Sequence, residues 1–202
     1  MDADAFKQVT TAIQGRIAAA TGTTVHVGPL DDTEATGSSG LVLFLYRVAV
    51  NPDLRNTGHR PPPKQTEPRP TAAGAPPSPS SEADIAEIFE SALPFDLFYL
   101  LSASPSPAGD DLEGLGQLGQ AIQVLNDQPF FMGSLLRGEL VRVSIDTVST
   151  EELSRIWALF PTVNYRTSVI FFASPVWIDP KAPATPGIPV VSQGYDALAI
   201  SA

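Results

Sequence analysis

One stretch constrains the fold of this chain more than any other: Leu41-Val-Leu-Phe-Leu-Tyr-Arg-Val-Ala-Val50, followed at once by Asn51-Pro-Asp-Leu-Arg-Asn56. The first part is the most apolar run in the sequence and is rich in β-branched and aromatic residues. That pattern predicts a strand covered on both faces. Pro52 has no amide proton to give to a ladder, and Asn and Asp favour turns, so Asn51-Pro52-Asp53 ends the strand. No catalytic group lies within it.

The chain has 202 residues, enough for one domain with a real core or for one domain plus an insert. Apolar residues make up 43 %, as in an ordinary globular protein. The formal charge is −10, and Arg and Lys are scattered singly. Such a surface repels phosphates and anionic lipid, which argues against nucleic-acid partners and membrane-surface binding. There is no cysteine, so disulfides, thiolate metal sites and a cysteine nucleophile are excluded. Met1-Asp-Ala-Asp-Ala-Phe-Lys7 is acidic and amphipathic, unlike a signal peptide. No apolar run approaches the ~20 residues of a membrane span. These features describe a soluble cytosolic protein with no direct membrane insertion.

Phe6, Val9, Ile13 and Ile17 recur at helical spacing and predict a helix over about residues 3–20, ended near Gly22. Thr24–Val27 is a short strand stopped by Gly28-Pro29, and residues 31–40 form a polar surface loop whose acids match no calcium loop. After the Leu41 strand the composition changes. Residues 57–81 hold eight of the 20 prolines, among Thr, Ser, Ala and Gly. Such a segment buries too little apolar surface to offset its ordering entropy. Residues 57–92 are therefore read as a Pro-rich exposed insert within one domain of residues 1–180, with a short helical turn over 81–89. Leu93–Ser102 is the next strand.

Leu112, Leu115, Leu118, Ile122 and Leu125 predict a helix with one buried stripe, and Gly114, Gly116 and Gly119 predict close approach to another element or another subunit. Pro129-Phe-Phe-Met132 reads as an apolar link. Leu140–Val148 alternates as a half-buried strand, exposed on the side of Arg142 and Asp146. Ser149-Thr-Glu-Glu152 is a capping box, with Val148 and Leu153 as its staple. Its helix runs to about Phe160, before Pro161. Tyr165–Ser174 is a final strand, continued by Pro175–Ile178 past a bulge. Residues 181–202 form a C-terminal arm or tail. The whole is an α+β domain: a mixed or antiparallel sheet packed on one face by about three helices.

Chemistry is scarce. His26 and His59 are the only histidines, one in a short strand and one in the insert, with no metal-ligand or Ser-His-Asp spacing around them. No phosphate-binding glycine motif follows a strand. The expectation is a protein that is not an enzyme, with no cofactor and no metal.

Several segments nevertheless form a recognisable series: Leu-Phe-Leu-Tyr-Arg-Val-x-x-Asn-Pro-x-Leu-Arg-Asn at 43–56, Leu-Pro-Phe-Asp-Leu-Phe-Tyr-Leu-Leu at 93–101 and Leu-Gly-Gln-Ala-Ile-Gln-Val-Leu-Asn-Asp at 118–127. Ser-Thr-Glu-Glu-Leu-Ser-Arg-Ile-Trp at 149–157, Tyr-Arg-Thr-Ser-Val-x-Phe at 165–171 and Ser-Pro-Val-Trp-Ile-Asp at 174–179 complete it. In this order, over about residues 5–180, the chain resembles the cap, or tail-terminator, proteins of phage-tail-like contractile injection systems. Residues 57–92 depart from that pattern. The resemblance implies a phage tail-terminator-like fold and a structural role. A homo-hexameric ring would sit on the distal end of the inner tube and sheath, stop polymerisation and hold the sheath top. It also implies assembly in the cytoplasm, in a particle either released or retained.

Polar residues beside the core strands are the interface candidates: Arg47, Asn51, Arg55, Asn56, Arg142, Arg155 and Arg166. Arginine is enriched at interfaces because its planar fork makes directed hydrogen bonds. Arg155 has an alternative partner in Glu151, one helical turn earlier. Ile188 and Val190 in the tail are candidates for donating a strand to a neighbour. The competing reading is a non-enzymatic adaptor that recruits a partner through the Pro-rich insert.

Overall fold

Apolar residues one turn apart build the first element. Helix α1 (Ala5–Thr21) buries Ala5, Val9, Ile13 and Ile17, and ends at Gly22 in a left-handed conformation, φ 66°. The Gly22 amide donates to the Ala18 carbonyl at 2.9 Å, and a side chain at this φ would be disfavoured by about 1 kcal/mol. Phe6 lies at the margin of the stripe, edge-on to Phe95 with ring centroids 5.3 Å apart. The structure, a computed structural model, describes residues 3–32, 40–62, 89, 91–104 and 111–181.

Six strands form one sheet: β1 (Val25–Val27), β2 (Leu41–Val50), β3 (Leu93–Ala103), β4 (Phe130–Phe131), β5 (Val141–Ile145) and β6 (Ser168–Ile178). Their spatial order is β1-β2-β3-β6-β5-β4. β1 runs parallel to β2 and every other pair is antiparallel, so the sheet is mixed, one of the two arrangements that the sequence leaves open. Two further helices are α2 (Asp111–Asp127) and α3 (Thr150–Trp157). The Pro129–Met132 stretch supplies β4, a short edge strand rather than a mere link.

Helices cover both faces, not one. On the first, α1 and α2 pack over Leu41, Leu43, Leu97, Tyr99, Leu101, Val141, Val143, Phe171 and Ala173. On the second, Ile156 and Trp157 of α3, with Phe160, pack over Val42, Leu100 and Ile170. Helix α3 has eight residues, about 12 Å of length, while β3 has 11, roughly 36 Å. It therefore covers only the end of the second face where β2 begins. The prediction that β2 is covered on both faces holds for Leu41–Leu43 and fails from Arg47 onward, where Arg47, Val48 and Val50 are exposed.

A bulge accounts for the change. Leu45 pairs with Tyr99 and Arg47 pairs with Phe98, which leaves Tyr46 as an extra residue on β2. Strand side chains alternate strictly, so one extra residue swaps the faces of all that follow. Without it Arg47 would point into the core beneath α1. A second irregularity lies where Phe95 pairs with Val176 and Leu97 with Ala173, so that Ser174 and Pro175 together oppose Asp96. Pro175 is thereby accommodated without breaking a ladder bond.

Helix α2 departs from its predicted stripe. Leu118, Ala121 and Leu125 are buried, but Leu112 is 75 % and Leu115 43 % exposed. The packing line runs through Gly114, where an added Cβ would lie 3.0 Å from the Ala103 Cβ. Close approach on that side turns the two leucines outward. His59, expected in an exposed insert, is buried and exchanges backbone hydrogen bonds of 3.1 and 2.9 Å with Phe89. Apart from Phe89, the predicted turn over 81–89 lies outside the described residues.

Candidate interface

The uncovered part of the second sheet face carries an ordered set of rings and cations. Register places Arg47, Phe98, Phe172 and Ser144 side by side across β2, β3, β6 and β5. The next row holds Ala49, Asp96, the bulge at Ser174, Arg142 and Phe130. The Arg47 guanidinium lies 4.9 Å from the Phe98 ring centre and that of Arg142 5.9 Å from Phe130. Phe98 and Phe172 touch at 5.8 Å, belong to neither core cluster and are half-buried; Phe130 is 55 % exposed. Among the described residues no carboxylate pairs with Arg47 or Arg142. A cation held over an aromatic ring keeps its charge available while its stem is ordered.

Asn51 organises the end of this face. Its amide nitrogen donates to Asp96 Oδ1 at 2.9 Å and to Ser174 Oγ at 3.2 Å, joining β2 to β3 and β6. Its Oδ1 accepts from the Asp53 and Leu54 amides, both at 3.0 Å, which shapes the Asn51–Asn56 turn. The side chain is thus occupied within the domain, while Arg55 and Asn56 stand exposed in the turn that it sets. Arg47, Asn51, Arg55, Asn56 and Arg142 consequently gather toward one end of the sheet.

Arg155 and Arg166 lie toward the other end. Arg155 is exposed and bridges Glu151 at 2.7 Å, the local pairing its spacing allows. Ser149 Oγ caps the helix beneath it, accepting from the Glu152 amide at 3.1 Å. Arg166 is half-buried; burial lowers its guanidinium pKa, and its buried Nη1 has no hydrogen-bond partner among the described residues. Ile188 and Val190 lie outside the described residues.

Sequence reading missed three features of the domain. Phe98 and Phe172 looked like core residues, and only the sheet pairing shows which face they occupy. Arg16 of α1 donates to the Gln128 and Phe130 carbonyls and lies 3.5 Å from the Phe131 ring centre, holding β4 against the helix. His59 is the third. Its Nδ1 is 2.6 Å from Asp179 Oδ1 and its Nε2 3.2 Å from Glu139 Oε1, and the ring stacks on Trp177 at 4.5 Å. Burial by itself would lower its pKa, but hydrogen bonds and charge from Glu139 and Asp179 prevail and raise it. When protonated, the ring donates through both nitrogens and leaves no lone pair for a metal. No group of His, Cys, Asp and Glu among the described residues is arranged to hold a metal ion.

No curated protein matches this chain. Among solved structures it is similar to the sheath/tube terminator, in the extended state, of the extracellular contractile injection system PVC: 15 % identity and a TM-score of 0.54, over 96 % of this chain and 65 % of that one. It is also similar to the tube-terminating cap of the anti-feeding prophage AFP: 14 % identity and a TM-score of 0.58, over 94 % of this chain and 60 % of that one. The chain thus spans less than two thirds of the length of either. At such identities the likeness is one of fold. The family model of the Pvc16 N-terminal domain matches residues 8–192, nearly the full sequence, and the chain belongs to that family.

Proposed function

We propose that this chain is a structural, non-enzymatic terminator of a contractile injection system. Copies form a ring, a hexamer if it follows the tube's symmetry, on the distal end of the inner tube and sheath. The ring stops polymerisation and holds the sheath top in a particle assembled in the cytoplasm. One observation carries this reading: two terminators share the fold over 94–96 % of this chain. Family membership supports it. The uncovered sheet face adds a physical reason, since a terminator must bind one growing end and refuse the next subunit.

The contact residues are Arg47, Arg55, Asn56 and Arg142, at the end of the domain organised by Asn51, with Arg155 and Arg166 as a second group. Ile188 and Val190 are proposed to dock on a neighbour. Electron microscopy of sheaths assembled with and without the chain tests the function. Overlong sheaths or frayed tops are expected in its absence; unchanged lengths and intact tops overturn it. Arg55→Ala is expected to keep its melting temperature and lose capping, because its side chain is exposed. A chain lacking residues 180–202 that still caps normally removes the tail from the contact.

A further inference from the structure

Residues 57–62 are held on the sheet chiefly by one side chain. Asn56, Thr57, Gly58 and Arg60 are exposed, and His59 alone among them is buried. Its ring lies flat on Trp177 of β6, 4.5 Å between centres and 9° between planes. Its Nδ1 meets Asp179, just past β6, at 2.6 Å, and its Nε2 meets both Glu139 oxygens, just before β5, at 3.2 and 3.3 Å. Two backbone hydrogen bonds tie Phe89 to His59. Pro62 lies against Gly138, where an added Cβ would be 3.3 Å from the proline Cγ. One imidazole thus fastens this segment to the ends of two strands.

Glu139 and Asp179 are the charged groups that face the ring from the elements packed on it. Both contacts together require a donor at each ring nitrogen, which only the protonated imidazole supplies. A neutral ring keeps one N–H. The shorter contact retains it, at Nδ1 toward Asp179, and Nε2 then turns a lone pair toward Glu139. Glu139 is 8 % exposed, and among the described residues its carboxylate has no other hydrogen bond or ion pair. A buried carboxylate facing a lone pair is penalised by desolvation and by charge, so the contact opens. We infer that His59 is a protonation-dependent latch. Protonated, it holds residues 57–62 and the Phe89 bridge against the turn before β5. Neutral, it lets go of Glu139, and the segment detaches while the sheet stays folded, because neither core cluster includes it. The two carboxylates raise the pKa of the ring, so the latch is closed in mildly acidic solution and opens on the alkaline side of the ordinary histidine range. The latch belongs to the single domain and does not depend on the terminator reading.

Amide exchange of the full chain, read by NMR and corrected for the intrinsic rate at each pH, tests the latch. Between about pH 6 and about pH 9 the His59 ring is expected to titrate. Over the same range the protection of the His59 and Phe89 amides should fall roughly tenfold or more, while Leu97, Tyr99 and Leu101 of β3 keep theirs. A ring that stays protonated throughout, or that titrates with the two amides unchanged, overturns the latch. So does a parallel loss of protection across β3, which is global unfolding. Glu139→Gln separates the latch from general stability. An amide accepts from a protonated ring through its oxygen and donates to a neutral one through its nitrogen. Protection of the His59 and Phe89 amides in this variant is expected to be the same at both ends of the pH range; a fall like that of the wild type overturns the assignment of Glu139 as the released partner.

Discussion

At the scale of single residues, the two most consequential side chains are Asn51 and His59, and both act inside the domain. Asn51 makes four hydrogen bonds that join three strands and shape a turn. Asn51→Ala leaves Asp96 and two turn amides without their partner, so a loss of about 1–3 kcal/mol is expected in a denaturant titration. His59 sits between two carboxylates with its pKa raised above 6.5. A raised pKa means that the folded state holds its proton more tightly than the unfolded chain. The stabilisation is therefore complete below the ordinary histidine value and is lost as pH climbs through the raised one. Melting temperature is expected to fall as pH rises from about 6, and His59→Gln to flatten that dependence. Neither role was legible beforehand. Asn51 read as a turn residue and an interface candidate, not as a link between strands, and the partners of His59 lie 80 and 120 positions away in the sequence.

At the scale of elements, local patterns predicted what local forces control. The Ser149 cap is one case: the hydroxyl meets the Glu152 amide, and Ser149→Ala should cost α3 about 1 kcal/mol in thermal melting. Helix α2 shows the limit. Its apolar residues fit two overlapping stripes, and the choice between them was made by Gly114 against Ala103. The glycines should accordingly differ. Gly119→Ala is expected to stabilise by about 0.5–1 kcal/mol, since open space leaves only the gain in helix propensity. Gly114→Ala should show no such gain, because its Cβ meets the Cβ of a strand residue. Differential scanning calorimetry of the two variants checks the contrast. The Tyr46 bulge is a further tertiary decision: Leu41–Val50 alternates no better with it than without it, yet it determines that Arg47 faces outward.

At the scale of the whole molecule, the Pro-rich stretch is attached to the domain by contacts that the composition did not announce. His59 and Phe89 exchange two backbone hydrogen bonds, and Ala92 is buried. Because these anchors bring the ends together, replacing residues 63–88 with a short Gly-Ser linker is expected to leave the melting temperature nearly unchanged; closing a loop depends only weakly on its length. The same variant separates two roles. Intact capping places the terminator function outside residues 63–88, whereas lost capping with unchanged stability favours an adaptor that works through the insert.

The opening stretch, Leu41–Asn56, marks the division between sequence and tertiary structure. The sequence alone determined that a strand would form there and stop at Asn51-Pro52, since apolar content and the missing proline amide act within a few residues. It likewise determined the order of the longer helices and strands, through periodicity and capping, but not the two-residue β4. Tertiary structure decided which half of that strand is covered, because coverage depends on the length of α3 and on the pairing of Arg47 with Phe98. It decided also that Arg47 and Arg142, almost a hundred positions apart, share one face. Face and neighbour follow from strand order and register, which many residues settle together and no single segment encodes.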